Sequence, residues 1–407
     1  MTPFSTAAPC RRSLLVQCGV AVGSVGLAGC LFADDGESDR GDPLDGTVPS
    51  TQYDVANTGS TRAHGPSDPT LRWTADVDVQ TGQPLLVEET FVCRSSDARG
   101  DPLYGVDTAT GTIRWETNDD GFYDGTGVLV DETLIAHRYS PGSDEHELVA
   151  LDRSRLQPDD ATDSTIGTDA IQWRTENDHR LRGDPVSVDE LVYVATEGDL
   201  YALDADTGDV EWRTDHRPST PVAADSTGVY VGTLDGEFVG VRDSGEILFV
   251  VDLGHEPTTA PTVAGDTLLI GDVGGTLTAV DHDGSKRWHA EGTGPLYGSP
   301  GVAGGVVYSP RFDGTILARS LDDGGERWRF DAGGDHRRSF VTDVTRGQES
   351  LYAASDDGQL FAIDGGETRW SVELGGAPVG APLVADGAVA IVTDDHELRV
   401  YDDGDSS

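Results

Sequence analysis

The sequence predicts an all-β fold, an eight-bladed β-propeller, on three observations. A repeat of about forty residues closes on an aromatic position, usually tryptophan. Each repeat carries four short strands in a fixed order, and two fragments at the chain ends complement each other into one whole repeat. Composition agrees: Gly is abundant (52 residues), Met nearly absent (1), and the apolar runs are short, rich in Val, Thr, Leu and Tyr, and broken by Asp-Gly, Thr-Gly and Gly-Gly. Long amphipathic helical patterns are missing.

The tryptophans set the period. Trp73, Trp115, Trp173, Trp212, Trp288, Trp328 and Trp370 stand 42, 58, 39, 76, 40 and 42 residues apart. The interval of 76 spans two periods, with Phe249 near its midpoint. The interval of 58 is one period plus an insertion, Arg153 to Asp169, rich in Asp, Thr and Ser. An aromatic ring at one place in every unit is expected to dock one blade on the next.

Within a unit the stretch Asp184 to Trp212 shows the order of elements. A Pro-containing first strand (Asp184-Pro185-Val186-Ser187-Val188) leads through an Asp-Glu turn to Leu191-Val192-Tyr193-Val194-Ala195. A Glu-Gly turn follows, then Leu200-Tyr201-Ala202-Leu203-Asp204, the turn Asp206-Thr207-Gly208, and Val210-Glu211-Trp212-Arg213. Second strands recur near Phe91, Leu134, Val192, Val229, Leu268, Val306, Leu351 and Val389, which gives eight units. The last stops at Leu398-Arg399-Val400-Tyr401-Asp402 without a fourth strand, while Leu71-Arg72-Trp73-Thr74 is a fourth strand with nothing before it. Pairing these two closes the ring and leaves no open edge between first and last blades.

Charge narrows the partners. Asp and Glu number 73 against 28 bases, a formal net of −45, and Lys286 is the only lysine. Such a surface repels nucleic acid and anionic lipid headgroups. The acids are spread through every repeat, which reads as adaptation to high salt, where self-repulsion is screened over about 3 Å at 1 M.

The first thirty residues read as an export signal. Arg11 and Arg12 precede a 16-residue stretch of small apolar residues, Leu14 to Gly29, short for a membrane-spanning helix. The paired arginines resemble a twin-arginine signal. Leu27-Ala28-Gly29-Cys30 resembles a lipobox, which implies a cleaved signal (1–29) and a diacylglycerol thioether on Cys30. Residues 30–50 are expected to be an acidic tether, and 51–403 the propeller. Cys10 and Cys18 leave with the signal, so only Cys93 remains free and no intramolecular disulfide is possible. Its β-rich surroundings suit a small buried hydrophobe.

The third-strand pattern Leu200-Tyr201-Ala202-Leu203-Asp204 with Thr207-Gly208 and Trp212 resembles the pyrrolo-quinoline quinone (PQQ) repeat. So does Leu103-Tyr104-Gly105-Val106-Asp107 with Thr110-Gly111 and Trp115. The lead-in Gln52-Tyr53-Asp54-Val55-Ala56-Asn57-Thr58-Gly59 is similar to that of haloarchaeal PQQ-repeat lipoproteins. The resemblance covers about residues 52 to 402 and implies the fold; one fold hosts many activities. PQQ-dependent alcohol dehydrogenases of this repeat carry an adjacent cysteine pair and a Glu/Asn/Asp calcium site. This chain has no Cys-Cys pair and no residues that match the calcium ligands. No cofactor or metal is therefore expected. Asp204-Ala205-Asp206-Thr207-Gly208-Asp209 lacks the calcium-loop order, and Asp and Gly there suit a tight turn.

In a propeller the turns from second to third strand and the connections from fourth strand to the next blade share one face. Here those segments hold His179, Arg180, Arg182, His216, Arg217, His255, Arg311, His336, Arg337 and Arg338, while the opposite turns are mostly Asp, Glu and Gly. This face, at the mouth of the central channel, is the candidate binding surface for an acidic or anionic partner; alternatively the arginines neutralise Asp178, Asp215 and Asp335. The expected protein is a monomeric, non-catalytic, lipid-anchored extracellular scaffold for a protein partner, analogous in scaffold type to the propeller lipoprotein of outer-membrane assembly machinery. A quinone-dependent dehydrogenase and a carbohydrate-binding propeller stay open as alternatives.

Overall fold

A computed structural model describes residues 44, 47–77, 82–94, 102–118, 122–140, 145–156, 164–333, 339–385 and 387–404. Arg11, Arg12 and Cys30 lie outside these, as do His336, Arg337 and Arg338.

The described residues form eight antiparallel sheets in a closed ring. The innermost strands of blades 1 to 8 are Leu85–Val87, Val128–Val130, Val186–Val188, Ala223–Asp225, Thr262–Ala264, Gly301–Ala303, Thr345–Arg346 and Leu383–Ala385. The outermost are Ile113–Thr117, Ile171–Asn177, Val210–Thr214, Ile247–Asp252, Lys286–Ala290, Glu326–Asp331, Glu367–Glu373 and, in blade 8, Thr70–Asp76. That last strand pairs antiparallel with Glu397–Asp402, Leu71 facing Tyr401 and Trp73 facing Val400. The chain ends complete one blade, and the ring closes by main-chain hydrogen bonds.

The repeated motif now has a physical reading. The outermost strand is bulged beside its aromatic residue in all eight blades. The bulge adds twist and re-aims the ring, which then crosses to the next blade. Indole N–H groups of Trp73, Trp173, Trp212 and Trp288 donate to the carbonyls of Thr108, Ala205, Asp243 and Leu321, at 2.7–3.0 Å, in the turn before the next blade's outermost strand. Trp370 finds the equivalent acceptor in Pro66, because in blade 8 the chain ends replace that turn. The turn's glycine lies flat on the incoming ring: Gly208 has φ +74°, and a Cβ there would sit 2.5 Å from Cε3 of Trp173. Small residues face the ring across the strands, as Ala202 faces Trp212 and Ala279 faces Trp288. In the turn itself the Asp204 carboxylate accepts from the N–H groups of Asp206 and Thr207 and from the Thr207 hydroxyl, an Asx turn that fixes the strand reversal.

The insertion between the third and fourth strands of blade 2 departs from a simple loop. After a 3₁₀ turn, Arg153–Arg155, capped by Asp152, its segment Ser164–Ile166 pairs in parallel with the outermost strand of blade 1. Blade 1 thereby gains an outer strand, and Leu156 and Ile166 cover Trp115, which is fully buried. Cys93 is buried in blade 1 and its thiol is pushed up to about 12 by burial.

The residues assigned to the tether are in part folded. Leu44 and Val48 are buried, and Thr47–Val48 pairs with Leu85–Val87 at the inner edge of blade 1. From there the lead-in runs across the channel. Carbonyls of Pro49, Val55, Ala56, Thr58, Gly59 and His64 accept from Leu129, Ala224, Val263, Val302, Arg346 and Gly387, in blades 2, 4, 5, 6, 7 and 8. Innermost strands otherwise present unpaired main-chain groups to the channel. The lead-in satisfies one such donor in blade after blade and plugs the ring.

Candidate functional site

The connections into each blade and the turns between second and third strands do share a face. Isolated antiparallel bridges tie Leu181 to Thr196, Pro218 to Thr233, Pro257 to Asp272 and Pro378 to Thr393, each joining the two kinds of segment within one blade. Between this rim and the plug lies a cup of about 350 Å³. Its floor includes Gln52 and Asn57, and its wall is built from the residues that lead into the innermost strands.

Around that wall, one position per blade reaches back to the preceding blade. Asp184 accepts from the Gly127 N–H at 2.9 Å, the Ser299 hydroxyl from the Ala260 N–H at 3.1 Å, and Asp343 from the Ser299 N–H. Thr126 donates to the Gln83 carbonyl. Asp184 enters blade 3 and Asp343 blade 7, so the two carboxyls stand on opposite sides of the eightfold ring. Burial lifts Asp184 to about 6, with the Asp124 charge adding and the Gly127 bond opposing. Burial likewise raises Asp343, against hydrogen bonds from Ser299 and Gln52. Gln52 donates to Asp343 at 2.7 Å, which ties the plug to the wall. Among the described residues, none that lines the cup is Lys, Arg or His.

The described basic residues sit on the rim outside the cup, and the arginines among them are paired. Arg180 donates to Asp124 at 2.5 Å, and Arg94 stands 3.5 Å from the same carboxylate. Although burial works to raise the Asp124 carboxyl, these arginines hold it below the usual carboxylate range. Arg182 faces Glu197 at 3.9 Å and Arg217 faces Asp235 at 3.7 Å. Arg180 and Arg217 remain 58% and 59% exposed, so such pairs leave them presented to solvent. Arg311 is different: only 3% exposed, it donates to the carbonyls of Gly275, Thr293 and Gly294 and holds blades 5 and 6 together. His179 and His255 are exposed and His216 half-buried on the same rim. Arg213, not a rim residue, pairs with Asp178 at 3.3 Å.

Two features escaped the sequence. Tyr297 and Phe312 pack edge to face at 5.7 Å on the rim of blade 6 and are 43% and 44% exposed; Val273, on the neighbouring turn of blade 5, is 42% exposed. The polar lining of the cup also went unread, because the ring position is Gln, Thr, Asp, Ser or Ala in different blades.

Fold and site together define a closed propeller with one blind end, a polar cup and a mixed aromatic and basic rim. A family model described as "Outer membrane protein assembly factor BamB" matches residues 160–246, 197–347 and 312–407, more than half of the chain, and the chain belongs to that family. It is 28% identical over 165 residues to outer membrane protein assembly factor BamB of Alkalilimnicola ehrlichii, covering 36% of this chain and 42% of that protein. The Yersinia pestis protein of the same name is 28% identical over 215 residues, 47% of this chain and 53% of that one. The chain thus spans about half the length of these relatives or less. Among solved structures, BamB from Moraxella catarrhalis superposes with a TM-score of 0.64 at 18% identity, over 82% of this chain and 99% of that one. Quinohemoprotein alcohol dehydrogenase from Comamonas testosteroni gives 0.67 at 13% identity, over 89% and 81%. These two likenesses are of fold.

The quinone cofactor that the repeat's name implies does not fit this cup. PQQ is a tricarboxylate, whereas the described residues of the wall offer two carboxyls and no cationic side chain to meet it. Among the described residues no group of three or more His, Cys, Asp or Glu is placed to hold a metal ion.

Proposed function

We propose that this protein is a non-catalytic scaffold, anchored through Cys30 to the outer face of the cytoplasmic membrane, which binds a protein partner at the rim of its open channel mouth. The observation that carries this reading is the exposed Tyr297–Phe312 pair beside Val273, on the face that also presents Arg217 and Arg180. Aromatic and arginine side chains of this kind dominate binding energy at protein interfaces. Membership in the BamB family supports the scaffold role, since the relatives are named assembly factors. Arg11, Arg12 and the lipobox support export and lipid attachment, and the acid excess supports a saline exterior. His179, Arg182, His216, His255, His336, Arg337 and Arg338 would complete the face. The partner complementary to this rim carries acidic and apolar side chains.

Affinity purification from native membranes in high salt tests the proposal. The intact chain should retain a specific protein, and Tyr297→Ala with Phe312→Ala should release it. Retention of the same protein by the double variant places the interface elsewhere. Metabolic labelling with a tagged fatty acid, lost in Cys30→Ser, checks the anchor.

A further inference from the structure

We propose that the outer edge of blade 4 is a self-association surface, on which a second copy of this chain pairs strand to strand about a twofold axis. The inference is independent of the scaffold role and rests on one strand that breaks a rule the other blades keep. A free outermost strand invites pairing with another chain, and charged side chains are the usual protection. In seven of the eight outermost strands a charged residue adjoins the aromatic ring, as Arg72, Arg114, Arg213 and Arg369 do. Blade 4 has none there: Ile247-Leu248-Phe249-Val250-Val251 is apolar throughout. Ile247 and Val250 are 53% and 47% exposed, in a chain of net charge −45. Val210, at the matching place on blade 3, is 44% exposed, and the half-buried Trp212 reaches Gly245, two residues before Ile247.

The molecule itself shows that such an edge accepts a strand. In blade 1 the outermost strand is bulged beside Trp115, as that of blade 4 is beside Phe249, and beyond the bulge Ser164–Ile166 pairs with Trp115, Glu116 and Thr117. The equivalent residues of blade 4 are Phe249, Val250 and Val251, and among the described residues no segment pairs with their outer side. A second copy fits that window. An antiparallel pair centred on Val250 sets Val250 against its own copy and Phe249 against Val251, so apolar meets apolar. Asp252 then falls opposite Leu248 rather than another acid. A centre one residue earlier, on Phe249, would oppose Glu246 to Asp252 and is disfavoured. The same strand supplies both the unprotected edge and the apolar run that covers it, which is what an isologous contact requires.

Charge sets the conditions. Two chains of net charge −45 repel each other, over about 10 Å at 0.1 M salt but only about 3 Å at 1 M. A single strand pair is a small interface beside the roughly 1,200 Å² of a standard one, so the dimer should be weak, micromolar in order, and favoured by high salt. The monomer expected from the sequence is then the low-salt state.

Sedimentation equilibrium on the full chain, carrying Cys30→Ser to keep it free of lipid, tests this from about 1 to 100 μM in molar and in decimolar salt. The parent should show a monomer–dimer equilibrium in molar salt that shifts towards monomer as salt is diluted. Val250→Lys should weaken the dimer by about tenfold or more. Ser371→Lys, which adds the same charge at the matching place on blade 7, should leave it unchanged. Both positions are exposed, so both variants should melt with the parent, which separates a lost contact from a damaged fold. A parent monomeric at about 100 μM in molar salt would overturn the assignment, and its capture of a peptide of alternating valine and threonine, lost in Val250→Lys, would give the edge to a foreign strand instead. A dimer that Val250→Lys leaves intact, or that Tyr297→Ala with Phe312→Ala dissolves, would place the contact elsewhere and overturn it as well.

Discussion

Asp184 offers a perturbation whose sign and size both follow from its surroundings. Its carboxyl sits near 6 rather than at the ordinary 3.8, chiefly because burial penalises the charged form, with the Asp124 charge adding to the same effect. A carboxyl raised in the folded state binds more protons there than in the unfolded chain between those two values. Stability must then fall as pH rises through that window. The rise from 3.8 to about 6 corresponds to roughly 3 kcal/mol carried as a penalty above pH 6. Asp184→Asn removes the charge and keeps an oxygen for the Gly127 N–H, whose preference for the charged form is already contained in that penalty. The variant should therefore be more stable than the parent by about 3 kcal/mol at pH 8, and the difference should shrink to roughly 0.5 kcal/mol by pH 4. Urea unfolding of both proteins in molar salt from pH 4 to 8, read as the difference between the two curves, isolates this group from the other acids. A variant less stable than the parent at pH 8, or a difference that does not depend on pH, would falsify the reasoning.

His137 should show the opposite slope. Burial, with His146 adding and Asp124 opposing, lowers it to about 4, so the parent loses up to about 3 kcal/mol as pH falls from 6.5 towards 4, and His137→Phe should abolish that loss in the same assay. Gly208→Ala should cost roughly 2–4 kcal/mol, since φ is +74° and the new Cβ meets the Trp173 ring; Gly387→Ala, with φ +77° and open space, should cost about 1. Phe249→Trp should gain about 1 kcal/mol by donating to the His282 carbonyl, the position matching Thr108, Ala205, Asp243 and Leu321, because Gly240 leaves room opposite the ring. With a net charge of −45, the thermal midpoint should fall steadily as salt is diluted from molar to millimolar; circular dichroism showing a constant midpoint would remove the case for salt adaptation.

What could be read from sequence was whatever the fold repeats. Trp, the small residue opposite it and the Thr-Gly turn recur because the ring of one blade packs on the turn of the next, with an indole bond from Trp73, Trp173, Trp212, Trp288 and Trp370. The Leu71 and Tyr401 fragments could be matched for the same reason. Features made once stayed hidden. Ser164–Ile166 joins a blade that precedes it by some fifty residues, and nothing in an Asp- and Thr-rich insertion states which edge it will cover. Arg311 looked like its exposed neighbours on the turns, but it folds inward onto three carbonyls of blades 5 and 6. The Tyr297–Phe312 pair joins the connection into blade 6 to a turn within it, a contact set by the ring rather than by local pattern.

The lead-in shows why a family-like motif and a functional motif need not be separate things. Gln52, Tyr53 and Asn57 adopt positive φ, and Gly59, at φ +57°, would press a Cβ to 2.6 Å from the Val344 carbonyl. Asp54 accepts from the Thr58 N–H and hydroxyl, while Asn57 donates to Val222 in blade 4 and to Pro261 in blade 5. Each of these residues is required by the path of a segment that winds from blade to blade inside a ring. A loose tether could have had any polar sequence; this one has the sequence of a plug. Because the lead-in bonds to the blades around the ring, it sets Gln52 at the bottom of the cup.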